Sequence, residues 1–140
     1  MAQLDWVHPA GEAVNQDPGF RKLGSADLVV GLKSGKAVRI VALEAFEVAS
    51  VETADEAALR DCELVIEMTP RQWTDYLTRR ARGVAPSLVS LDIDRGIVRA
   101  PDPMLRLKFD RYHLSIQALC DAGARIEATR TAAPRRTTVA

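Results

Sequence analysis

A strand that turns without a spacer into a capped helix constrains this chain more than any other feature. In residues 62–68, Cys62, Leu64, Ile66 and Met68 alternate with Glu63, Val65 and Glu67. Such alternation is the period of a half-buried strand. Thr69 follows as a helix N-cap, Pro70 sits where a missing N–H costs nothing, and Gln72 completes a capping box with Thr69. The helix then sets Trp73, Tyr76 and Leu77 on one side, with Arg71, Arg79 and Arg80 largely elsewhere, and Gly83 is expected to end it. The corner is therefore rigid and carries an aromatic face.

The remaining segments supply partners for that unit. Residues 26–32, 37–43 and 46–51 alternate as three strands, and the tight link Lys33-Ser34-Gly35-Lys36 predicts an antiparallel hairpin. Phe46 and Val48 are expected on one face of the third strand. Residues 53–61 are helical in character, with capping-box spacing between Thr53 and Glu56. Residues 85–93 fit either a strand, through Val89, Leu91 and Ile93, or a short helix opened by Pro86 and Ser87. An extended stretch follows the turn at Gly96. Residues 103–122 form the longest predicted helix, with Leu105, Phe109, Tyr112, Ile116 and Leu119 in one stripe and Gly123 as its terminator. The division expected from this is a lead-in over 1–24 anchored by Trp6 and Phe20, a folded domain over 25–123, and a mobile tail over 124–140.

Composition narrows the function classes. The chain has 140 residues with 47% hydrophobic and 27% charged residues and a formal net charge of zero. One domain with one core suits that length. A balanced charge offers no positive field for phosphate backbones, so no nucleic-acid partner is expected. No segment approaches the roughly 20 apolar residues of a membrane span, and no integral membrane association is expected. Cys62 and Cys120 lie among apolar residues, which favours two inert buried thiols and a cytoplasmic setting.

Motifs for chemistry are sparse. His8 and His113 stand apart from each other and from any acidic cluster, and neither HExxH nor CxxC spacing occurs. No metal site, cofactor or catalytic residue is therefore assigned. Lys33, Gly35 and Lys36 lack the spacing of a phosphate loop and read as a hairpin turn. Glu63 and Glu67 are too far apart along one strand face to work as an acid–base pair and read as solvated outer-face residues. Cys62 is expected to point inward beside Leu64.

The apolar residues offer more. Trp73 and Tyr76 combine broad apolar surfaces with polar handles that suit a cavity wall. Phe109, Tyr112 and Ile116 offer a second wall, and Met68 and Met104 adapt to irregular guests. For each of the seven taken alone, packing the helices onto the sheet is the stronger reading.

Together, the hairpin at residues 33–36, the strand ending at Met68 with Thr69, Gln72 and Trp73 behind it, and the Gly96 element before the last helix resemble the sterol carrier protein 2-like family over residues 14–122. The sequence departs from the family's pattern in the basic stretch 79–82 and in the long last helix. The resemblance implies an α+β fold in which helices cover a mostly antiparallel sheet of roughly five strands around an apolar cavity. It also implies reversible binding of a lipid, sterol-like molecule, fatty acyl group or other hydrophobic metabolite. Two alternatives stand beside it. One is an accessory or oligomerisation domain with a vestigial cavity, acting as a homodimer or on a partner enzyme. The other is a small enzyme for a hydrophobic substrate.

Overall fold

The computed structural model describes residues 4–139, with side chains through Arg130. Two helices, α1 (Val7–Asn15) and α2 (Pro18–Arg21), precede the strands β1 (Ala26–Ser34), β2 (Ala37–Ala45) and β3 (Glu47–Ala54). A 3₁₀ helix (Glu56–Asp61) then leads to β4 (Leu64–Met68), α3 (Pro70–Ala81), α4 (Leu88–Arg95), β5 (Val98–Arg99) and α5 (Pro103–Val139).

The sheet is five-stranded in the order β3-β2-β1-β4-β5. Three of its pairings are antiparallel, but β1 and β4 run parallel, Val30 beside Leu64 and Ser34 beside Met68. The chain leaves β3 at one edge and crosses the sheet before β4, so β4 joins β1 from the far side and in the same direction. The 3₁₀ helix makes that crossing over Gly31, where a Cβ would lie 2.5 Å from Leu59 and 3.1 Å from the Cys62 sulfur. Cys62 thus sits on the opposite face from Leu64. It precedes the strand, so the alternation that places Leu64, Ile66 and Met68 does not reach it.

The other face of the sheet carries Leu28, Val30, Leu32, Leu64 and Ile66, all fully buried. Helices α1, α3 and α5 pack on it in one apolar cluster. Trp73 and Trp6 meet there with ring centroids 5.8 Å apart. Phe109 and Ile116, expected on the wall of an apolar cavity, are buried in that cluster.

Several local readings change. Phe46 is exposed in the β2–β3 turn instead of alternating with Val48, since the chain reverses at Ala45 with φ of 53° and the ladder shifts between Ala42 and Leu43. Thr53 belongs to β3, and Asp55 caps the 3₁₀ helix by accepting from the Ala58 N–H. The ambiguous stretch 85–93 resolves as α4, because Ser87 caps it and Leu88 and Leu91 share one buried side. Gly123 does not end the last helix. Its Cβ position lies 2.1 Å from the Trp6 ring, so the residue serves close packing inside a helix that continues to Val139. Residues 124–139, expected as a tail, are part of that helix. The side chains of 131–140 lie outside the described residues.

Candidate functional site

The β4–α3 corner forms as its sequence dictates. Thr69 accepts from the Gln72 N–H at 3.1 Å, and Gln72 Oε1 accepts from the Thr69 N–H at 2.8 Å. Both halves of the capping box are in place, with Pro70 in the first turn. Trp73 enters the core behind this corner and donates its indole N–H to the Lys33 carbonyl at 2.8 Å. That bond ties α3 to the end of β1. Tyr76 packs edge-on to Trp73 at 6.3 Å.

Two clefts open at the corner and share Met68 and Gln72. The first, of about 370 Å3, lies between the β1–β2 turn at Gly35, the corner itself, and Gly96 with Arg99. Its charged wall is Glu67, which pairs with Lys33 at 3.2 Å and with Arg99. The second, of about 350 Å3, separates Asp75, Tyr76 and Arg79 of α3 from Ala85, Pro86 and the Leu91, Asp94 and Arg95 side chains. Met68, Tyr76 and Leu91, each less than 8% exposed, form its apolar floor. Asp75 and Arg79 form a loose pair at the rim, 3.7 Å apart.

A polar network braces this floor. Gln117 of α5 donates to the Tyr76 hydroxyl at 2.7 Å and to Asp121 at 2.9 Å, and its carbonyl accepts from the Leu88 N–H at 2.7 Å. Arg80 binds both Asp121 oxygens at 2.8 Å and also reaches the Ala85 carbonyl. The pairing with Asp121 raises the Arg80 pKa further, so this bidentate link stays charged. Burial, reinforced by the neighbouring Cys120, pushes the Tyr76 phenol well up, and burial does the same to Cys120. Cys62 is raised by burial and by Asp61. These groups are protonated at neutral pH, the Tyr76 hydroxyl accepting from Gln117 and both thiols buried.

The seven residues expected at a ligand divide clearly. Met68 and Tyr76 reach the clefts. Trp73, Phe109 and Ile116 lie in the core at 1% exposure, and Tyr112 is half-buried against that core. Met104 is 70% exposed near the start of α5. Sequence reasoning missed Leu91, Asp94 and Arg95, because their helix was ambiguous until α4 formed. It also missed Gln72 as a cleft residue, although the capping box had fixed where its side chain would turn. Glu63 is not simply solvated: it accepts from the Val29 N–H at 2.9 Å and from Lys108 of α5 at 2.6 Å.

His8 is exposed on α1, and His113 stands beside Phe109 with centroids 6.2 Å apart. Among the described residues, no group of three or more His, Cys, Asp or Glu side chains is placed to hold a metal ion. Both cysteines are free and buried. No helix among these residues is long and apolar enough to cross a membrane.

No family model matches the sequence, and no curated protein matches it. Among solved structures the chain is similar to one described as "UbiJ-SCP2 Ubiquinone synthesis protein", at 15% identity and a TM-score of 0.46. The alignment covers 88% of this chain and 95% of that one.

Proposed function

We propose that this protein reversibly binds a small amphipathic molecule at the β4–α3 corner, its apolar part on Met68, Tyr76 and Leu91 and its polar part at the charged rim. The observation that carries the reading is the pair of clefts joined at Met68 and Gln72. Ligand sites combine an apolar lining with a few placed polar groups, in volumes of roughly 300–1,000 Å3. The driving force is removal of apolar surface from water, about 25 cal/mol per Å2 before the costs of association. The sequence resemblance to the sterol carrier protein 2-like family points to the same class of ligand. The free, buried thiols suit a reducing compartment.

Titration with cis-parinaric acid, followed by its fluorescence, tests this reading. Saturable binding is expected, with an affinity at least about tenfold weaker in Leu91→Asp, which puts a charge on the cleft floor. Equal uptake by a folded Leu91→Asp protein removes the second cleft from consideration.

A docking role is favoured by a different observation. Met104, Leu107 and Leu114 recur along α5 at spacings of three and seven and are 70%, 55% and 55% exposed. Light scattering across a concentration series separates the two readings. A stable monomer that takes up the probe supports binding, and a dimer that does not supports docking.

A further inference from the structure

We propose that residues 84–95, comprising the approach to α4 and α4 itself, form a hinged lid whose outward swing admits the ligand. The inference rests on the binding reading above and adds its route. Seating the guest's apolar part deeper than the present clefts allow needs more room. Leu64, Ile66 and Leu88 are fully buried, and the two clefts hold about 370 and 350 Å3. One wall has to move.

The segment that supplies the outer wall of the second cleft is the one built to do so. Gly83 and Gly96 bracket it, with φ of 74° and 64°, and nothing lies within 4 Å of a Cβ position at either. Both ends therefore turn in conformations that glycine adopts without strain, in open space. Leu88 and Leu91 join the core cluster and Ala85 and Val89 pack against it, while the hydrogen bonds that hold the segment mostly involve side chains. Arg80 holds the Ala85 carbonyl at 3.2 Å, Gln117 holds the Leu88 N–H at 2.7 Å, and Asp92 accepts from the Val98 N–H at 2.8 Å while pairing with Arg106. On the outer side Ile93 is 78% exposed, so no packing there opposes the swing. Inside, Leu91 lies on the cleft floor with Met68 and Tyr76, and Leu88 is fully buried behind it in the core cluster. Opening exposes these two leucines, and an apolar guest restores their burial. Segments of this kind open locally without unfolding the whole domain.

Hydrogen exchange on the intact chain, read together with stopped-flow uptake of cis-parinaric acid, tests the lid. Amides of 88–95 are expected to exchange about tenfold or more faster than the core of α5, with little dependence on low urea. Asp92→Asn breaks the pair with Arg106 but keeps an acceptor for the Val98 N–H. It should speed both the local exchange and the uptake rate several-fold. Two results overturn the lid while leaving the binding reading intact: exchange of 88–95 only at the rate of the α5 core with normal probe saturation, or faster exchange in Asp92→Asn with an unchanged uptake rate. Absence of saturable uptake in both the native chain and Asp92→Asn overturns the lid and the binding reading together.

Discussion

At the scale of single residues, Gly123 and Trp6 meet more closely than a Cβ would allow. Helix α5 crosses the lead-in so closely that a Cβ on Gly123 would meet three atoms of the Trp6 ring within 2.8 Å. In an exposed helix interior, Gly→Ala stabilises by about 1 kcal/mol. Here overpacking dominates, at about 1–3 kcal/mol. Gly123→Ala is therefore expected to lower stability by up to about 2 kcal/mol in urea denaturation, the overpacking cost less the propensity gain. Replacing Trp6 by Leu in the same chain should remove most of that cost. Additive losses in the double mutant would show that the crowding lies elsewhere.

At the scale of elements, the free edge of β3 needs protection, since an open edge invites pairing with another chain. Asn15, at the end of α1, supplies it. Its carboxamide accepts from the Val48 N–H at 2.7 Å and donates to the Val48 carbonyl at 2.9 Å, as a neighbouring strand would. Asn15→Ala leaves both backbone groups without that partner. The expected loss is about 1–3 kcal/mol, with faster aggregation at high protein concentration seen by light scattering. A variant of native stability and solubility would mean that water replaces the amide at no cost.

For the whole molecule, the sheet and α5 are joined electrostatically as well as by the core. Burial acts to raise the Glu63 pKa, but the Lys108 ammonium and the Val29 N–H outweigh it, so the folded carboxyl titrates below its ordinary value. The Lys108 pKa is raised by the same contact. The signs follow from linkage. Glu63 contributes stability that is full above its unfolded pKa, near 4.5, and that fades as the pH falls through the lower folded value. Glu63→Gln should therefore flatten the acid limb of the Tm-against-pH curve and cost stability at neutral pH. An unchanged acid limb would assign the acid sensitivity to other carboxylates.

Period and capping, which are local, were legible in the sequence. The alternation through Leu64, Ile66 and Met68, the Thr69–Gln72 box and the hairpin turn at Gly35 depend on neighbours within a few residues, and each follows from backbone geometry alone. Long-range packing decided the rest. The parallel β1–β4 pairing depends on where the 3₁₀ crossover lands on Gly31. The fate of Gly123 depends on Trp6, more than a hundred positions away. Trp73, Phe109 and Ile116 went to the core because three helices close over one sheet face, whereas Met104 was left in water. Leu91 and Arg95 reached the clefts only once α4 had folded back beside α3. A residue's periodicity tells which neighbours share its face, but which side chains meet across space is settled by the packing of elements far apart in the chain.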